Sequence, residues 1–286
     1  MAPKDDIYDC ANEAKANFDN IYNLPDPRLY YRTLGALDYR IPTEASPIFR
    51  SVMKAMDRKS INVLDIGCSY GVNAAMIRYD LEFGDLVARY RRQEMREESV
   101  AEAILDDAAY FADRQTASNA NFTGIDVAGE AAGYARAIGL IDEAIVEDLE
   151  TAPLSRKGRA AIAQADLIIT TGAVGYVTEK TFSRLIDAVE GPAPWVAAFT
   201  LRQFPFDAIA EELTRYGLET EKLEGRFFPQ RRFMDADEKA GAVAAVEALG
   251  LDPDGLEADG EYFAEFHLAK PGAAPKLADF NFPAGV

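Results

Sequence analysis

The sequence predicts a doubly wound α/β sheet, and three observations carry that prediction. An apolar, β-branched run at Ile61–Ile66 turns into an apolar helix through a bend bounded by glycines. Short apolar runs then alternate with helical patterns to the end of the chain. Glycines stop three of those helices, at Gly139, Gly191 and Gly217. Such alternation places helices on both faces of a largely parallel sheet.

The elements follow in order. Before the first strand, PDPRLYYRTLGALDYRIP sets aromatics and arginines between prolines. Ile48, Phe49, Val52, Met53 and Met56 then recur at helical spacing. Ile61, Val63, Leu64 and Ile66 form a strand buried on both faces. Val72, Ala74, Ala75, Met76 and Ile77 give the next helix its apolar face, so the turn at 67–71 lies at a strand's carboxyl end, where open α/β sheets bind ligands. Glycine serves such a turn by accepting positive φ and letting a ligand approach the backbone. A dinucleotide-binding turn would place a glycine where Ser69 stands, which argues against a nicotinamide cofactor. Cys68 reads as a small filler of the turn and Asn73 as a helix-start residue.

A second strand at 122–125 ends in Asp126, and a helix follows through Ala131, Ala135 and Ile138. A carboxylate at that strand tip suits the two hydroxyls of a ribose, as it also suits a turn. Asp126 follows Asp65 by 61 residues, whereas a compact nucleotide-binding unit spaces the two sites by roughly 20. Two added helices are therefore expected at about 82–118, from GDLVARYRRQ and SVAEAILDDAAYFADR, the second opened by a capping box of Ser99 and Glu102. They would form a lid, a substrate wall or an oligomer contact. AIVEDLE gives a third strand ending at Asp148, whose carboxylate suits an exocyclic amine while Leu149 offers its amide. A fourth strand, 167–169, breaks at Thr171 and Gly172. Helix 179–189, strand Trp195–Leu201, helix 206–216, a strand at 220–223, helix 236–249, a turn at 252–255 and a last strand at 262–268 complete the chain.

Four of these segments, VLDIGCSYG, the strand ending in Asp126, AIVEDLE and ADLIITTGAVGYV, resemble in type and order the motifs of the class I S-adenosylmethionine-dependent methyltransferases. Ser69 departs from the third position of the D/E-x-G-x-G-x-G pattern. The resemblance spans 63–270. It implies a Rossmann-like, mostly parallel sheet of seven strands with the last antiparallel, and S-adenosyl-L-methionine as cofactor. It also implies Asp65, Gly67, Ser69, Gly71, Asp126, Val127, Asp148, Leu149 and Thr171 as cofactor-binding residues. Residues 1–60 would then be a cap on the core and 61–286 the methyltransferase domain.

On the substrate side stand Tyr39, Tyr176, Arg202 and His267. An aromatic face such as that of Tyr39 suits a sulfonium cation, though the same residue also suits a core. Arg202, at the end of the fifth strand, suits a substrate carboxylate or an ion pair, and its first role would mean an anionic acceptor. Tyr176, Glu179, Glu265 and His267, the sole histidine, are candidate general bases; a hydrogen-bonded structural histidine is the other reading of His267. GRFFPQRRF, with Arg226, Arg231 and Arg232, would hold one carboxylate or phosphate, or pair with neighbouring acids. TTGAVGYV stands where Asn-Pro-Pro-Tyr would signal methylation of a base amine or glutamine amide.

The expected activity is in-line methyl transfer to a small molecule. Methylation of a protein or peptide is the alternative within the class; an inactive cofactor-binding interaction module is the alternative outside it. Composition bounds these readings. A chain of 286 residues, 49% hydrophobic, has material for one elaborated α/β domain. A net charge of -18 disfavours a nucleic-acid partner, whose phosphates need lysine and arginine. Two cysteines, Cys10 and Cys68, and one histidine provide neither a disulfide framework nor a metal-ligand pattern, so no metal is expected. MAPKDDIYDC lacks a basic-then-apolar signal pattern, and no apolar run approaches the roughly 20 residues that span a bilayer. No membrane partner and a cytoplasmic location are expected.

Overall fold

The computed structural model describes residues 19–94, 98–114, 116 and 118–282. Cys10 and the first segment of the chain, read above for signal patterns, lie outside them.

Three helices, α1 (Asp19–Tyr22), α2 (Arg28–Ala36) and α3 (Ile41–Ala55), precede β1 (Ile61–Ile66) and α4 (Val72–Tyr79). The inserted helices are α5 (Phe83–Glu94) and α6 (Val100–Ala112). Alternation then sets in with β2 (Ala120–Ile125), α7 (Gly129–Ala137), β3 (Glu143–Ile145), α8 (Arg156–Ile162), β4 (Leu167–Thr171) and α9 (Glu179–Ile186). The remainder is β5 (Trp195–Leu201), α10 (Asp207–Thr214), β6 (Leu218–Lys222), β7 (Phe228–Arg232), α11 (Ala236–Ala248) and β8 (Glu261–Pro271).

The sheet runs β3-β2-β1-β4-β5-β8-β6. β1 to β5 pair in parallel, and β8 is antiparallel to β5 and β6. This is the Rossmann-like order of the class I methyltransferases, with its reversal between β1 and β4 and its antiparallel final strand. It carries one strand more than the seven expected. β7 pairs with β8 on the same edge as β6: Lys222 lies opposite His267 and Phe228 opposite Ala264. Because Leu201, the last residue of β5, also lies opposite Ala264, β7 prolongs that edge beyond the carboxyl end of β5. Its sequence, FPQRR, hides it, since it has no apolar alternation and contains a proline, which sheets admit at their edges. The third strand stops at Ile145, leaving Asp148 in the following turn, and α2 and α8 were not foreseen.

Alternate residues of the central strands feed two cores, as period-two geometry requires. Leu64, Ile168, Val196 and Ala198 pack with Phe182, Leu185 and Ile209 of α9 and α10. Val63, Leu167, Ile169, Ala197 and Phe199 pack with Ile48, Phe49 and Val52 of α3. There the Phe49 and Phe199 rings meet edge to face at 5.3 Å, and truncating either to alanine would cost about 3–5 kcal/mol.

A third core joins α2, α4, α5 and α7 through Tyr31, Leu34, Met76, Phe83 and Tyr134. Beside it the inserted helices are anchored by Asp107, which is fully buried and accepts from Arg89 Nε (2.7 Å), Tyr90 Oη (2.6 Å) and Tyr134 Oη (2.6 Å). The capping box that opens α6 is present, with Ser99 N donating to Glu102 Oε2 at 2.9 Å. The α2–α3 junction is stitched to β7 by Arg40 N donating to Gln230 O and Arg232 N to Leu37 O, both at 2.8 Å. Those two bonds bring the N-terminal helices over the carboxyl ends of the strands.

Candidate active site

At those carboxyl ends lies a cavity of about 650 Å³, within the usual range for a small-molecule site. The loops after β1, β2, β3 and β4 and β7 line it, and the N-terminal helices cover it, resting on the β2 loop where Asn23 Oδ1 accepts from Glu130 N at 2.8 Å.

The turn after β1 is held in an uncommon shape. Gly67, Ser69 and Gly71 have φ of 71°, 47° and 76°. A Cβ on Gly67 would lie 2.9 Å from Ala173 Cβ, so glycine is required there on two counts. Ser69 takes its positive φ at a cost on the order of 1 kcal/mol, and its N–H donates to Asp126 Oδ2 at 2.8 Å. Asp126 Oδ1 accepts from Ala128 N at 2.9 Å. One carboxylate thus ties the first two loops together, and its oxygens retain further lone pairs. Burial raises the Asp126 pKa, while the Ala128 and Ser69 amides pull it down. Cys68 fills the space beside Gly124, where a Cβ would come within 2.5 Å of its sulfur.

Asp65 is fully buried. Its Oδ1 accepts from Asn73 Nδ2 at 2.9 Å, and Asn73 also bonds Thr171 Oγ1 at 3.1 Å. Asn73 is thus more than a helix-start residue: it joins the end of β4 to the carboxylate of β1. Asp65 Oδ2 has no hydrogen-bond partner among the described residues. Burial raises its pKa from 3.8 to about 7, against the Asn73 bond and with help from Asp126.

Asp148 and Leu149 line the third loop. Asp148 Oδ1 accepts from Glu150 N and Oδ2 from Thr151 Oγ1, both at 2.9 Å, which holds its carboxyl below the ordinary range. Glu150 in turn accepts from Thr178 N at 2.8 Å and Thr181 Oγ1 at 2.6 Å, fastening this loop to the start of α9. Val127 stands exposed at the rim.

Tyr39 and Tyr176 reach the cavity wall, Tyr39 half-buried and Tyr176 exposed. Four other candidates are placed elsewhere, and their sequence readings are corrected. Arg202 is 4% exposed and pairs with Glu257, itself 2% exposed; it also donates to Asp252 O at 2.9 Å. The fold turns this arginine from the crevice into a buried ion pair. His267 stacks on Phe206 at 4.5 Å, and burial, with Lys222 nearby, lowers its pKa to about 4. Glu265 pairs with Lys222 at 3.3 Å. Glu179 begins α9 without lining the cavity.

Other residues complete the wall. Tyr22, missed in the sequence, and Tyr30, of the aromatic segment before the first strand, meet edge to face at 5.5 Å and come from the N-terminal helices. Gln230 and Arg231 come from β7. GRFFPQRRF was their only sequence signal, and its ion-pair reading holds for Arg231, which bonds Glu238 at 2.6 and 2.9 Å. Among the described residues no group of three or more histidine, cysteine, aspartate or glutamate side chains is placed to hold a metal. No helix among them is long and apolar enough to cross a membrane.

No protein-family model matches the chain, and no curated protein matches it. Among solved structures it is similar to the plantazolicin methyltransferase BpumL in complex with a pentazolic desmethyl analogue and SAH. Identity there is 12%, over 94% of this chain and 98% of that one, with a TM-score of 0.47. It is also similar to a TehB-like SAM-dependent methyltransferase from Corynebacterium glutamicum (16% identity, 85% and 95% covered, TM-score 0.41). A third is a putative sarcosine dimethylglycine methyltransferase from Galdieria sulphuraria (11%, 80% and 85%, 0.41). The fold class rests on the strand order and register rather than on these likenesses.

Proposed function

We propose that the protein is an S-adenosyl-L-methionine-dependent methyltransferase acting on a small molecule, in the cytoplasm as its composition suggests. The observation that carries this proposal is the set of groups converging at the ends of β1 and β2: the left-handed turn, the unpartnered Asp65 Oδ2 and the Asp126 carboxylate. These groups fit the cofactor's chemistry. A buried carboxylate oxygen without a donor calls for a cationic or N–H partner, and the methionine ammonium is one. Asp126 suits the ribose hydroxyls, and Val127, Asp148 and Leu149 suit the adenine ring and its amine.

Held by Asp65, the turn at 67–71, Asp126, Asp148 and Leu149, the cofactor would supply a methyl carbon activated for in-line transfer to a lone pair on the acceptor. The protein contributes alignment and exclusion of water. Tyr22, Tyr30 and Tyr39 close over the cavity and favour a small substrate over a long chain. Tyr176, at the exposed rim, is the candidate base that remains at the cavity.

Asp126→Ala tests the assignment. Its loss should weaken S-adenosylhomocysteine binding by about 1.5–3 kcal/mol, the scale of a hydrogen bond to a charged group, or roughly 10- to 150-fold in Kd. Unchanged affinity in calorimetry would contradict the ribose anchor.

A further inference from the structure

The cavity divides at the point where strand order reverses. β1, β2 and β3 lie to one side, and β4 and the β7 extension to the other. With the cofactor on the first side, the second is left for the acceptor. Its least ordinary feature is Gln230. This side chain is 5% exposed, lines the cavity, and has an Oε1 atom with no hydrogen-bond partner among the described residues. Its amide packs over Gly172, where a Cβ would sit 2.6 Å from Nε2. Gly172 has a φ of 77°, so a larger residue there would be strained. Gln230 is held from behind as well, since its carbonyl accepts from Arg40 N at 2.8 Å.

An unmet acceptor atom in a buried wall costs stability until a donor arrives. The charges around it limit what that donor can be. Among the described residues lining the cavity, Arg231 is the one cation, and its guanidinium is already matched by a bidentate bond to Glu238, with both side chains at most 3% exposed. Carboxylates line the same cavity at Asp126, Glu147, Asp148 and Glu150. An anion would find no free protein cation to meet it, since Arg202 is sealed away with Glu257. Those carboxylates stand on the cofactor side, and the phenol rings of Tyr22, Tyr30 and Tyr39 line the cavity between it and Gln230.

Resting on the methyl-transfer function proposed above, we infer that the acceptor is an uncharged, planar group bearing an O–H or N–H, and that Gln230 Oε1 accepts that hydrogen beside the end of β4. Gln230 is then the specificity-determining residue of the acceptor side. An uncharged nucleophile keeps the lone pair that a protonated amine lacks, in keeping with this arrangement. The anionic acceptor suggested by Arg202 in the sequence is thereby replaced.

The test uses the whole protein saturated with S-adenosylhomocysteine and three probes of one shape: phenol, benzoate and benzylammonium, their binding measured by ligand-observed NMR. Phenol should bind most tightly. Gln230→Leu and, separately, Gln230→Met should weaken phenol by about three- to tenfold, the range of one neutral hydrogen bond, while leaving S-adenosylhomocysteine affinity unchanged. Benzoate or benzylammonium binding at least as tightly as phenol overturns the inference, as does no phenol binding, or equal phenol affinity in both variants. Should neither variant fold, the ranking of the three probes on the native protein still decides. Failure of native protein to bind S-adenosylhomocysteine is a different result: it overturns the cofactor assignment, and the acceptor inference with it.

Discussion

Asp65 concentrates the site's chemistry in one side chain. Burial holds its pKa near 7, from an ordinary 3.8, and the direction of that shift fixes the sign of its effect on stability. Below about pH 4 the group is protonated in folded and unfolded chains alike and costs nothing. From there to pH 7 the unfolded chain releases the proton that the fold retains, so stability falls as pH rises; above pH 7 the full cost stands. Asp65→Asn should therefore gain stability relative to the native protein between pH 5 and pH 8, read as the difference in urea midpoint. Parallel midpoints across that range would contradict the buried-carboxylate account. A cofactor ammonium at Asp65 Oδ2 would favour the ionised form, so native affinity for S-adenosylhomocysteine should also rise from pH 6 to pH 8. The motif in the sequence singles out Asp65, Gly67 and Gly71, because a strand that breaks into a glycine turn leaves a local signature. It cannot reveal that Asn73 bridges Asp65 and Thr171, since that triangle closes only when β1 and β4 lie side by side.

Elements carry the information that single residues do not. The inserted helices were legible from the long gap between Asp65 and Asp126 and from the capping box at Ser99, both local patterns. β7 was not: its strand character comes from the free edge of β8, and its role comes from where that edge ends. Arg202 shows the same limit. The topology correctly puts it at the end of β5, but the loop that carries Glu257, some 55 positions later, decides its partner. The pair ties β5 to the approach of β8, with Phe227 stacked over the guanidinium at 4.8 Å. Removing one partner of a buried ion pair leaves an uncompensated charge. Glu257→Ala should thus lower unfolding free energy by about 3–5 kcal/mol, while the folded variant keeps native affinity for S-adenosylhomocysteine. A stable variant with weakened affinity would return Arg202 to the site.

For the molecule as a whole, the doubly wound core was the most legible feature, because buried parallel strands must be apolar runs and helices must alternate with them. The N-terminal helices were harder to read: their placement depends on the seam with β7, whose backbone bonds leave no trace in composition. That seam closes the cavity, which carboxylates, phenol rings and the Gln230 amide line together. The net charge of -18 is partly expressed there, in a wall suited to a cationic sulfonium and poorly suited to an anionic partner.

The central claim is that the cavity above β1 and β2 holds S-adenosyl-L-methionine. Its most direct test is calorimetric titration of the native protein at pH 7.5–8 with S-adenosyl-L-methionine and, separately, S-adenosylhomocysteine. Saturable one-to-one binding with a Kd on the order of micromolar, or about -8 kcal/mol, is the predicted result. Folded protein that takes up neither compound at millimolar concentration would contradict the account.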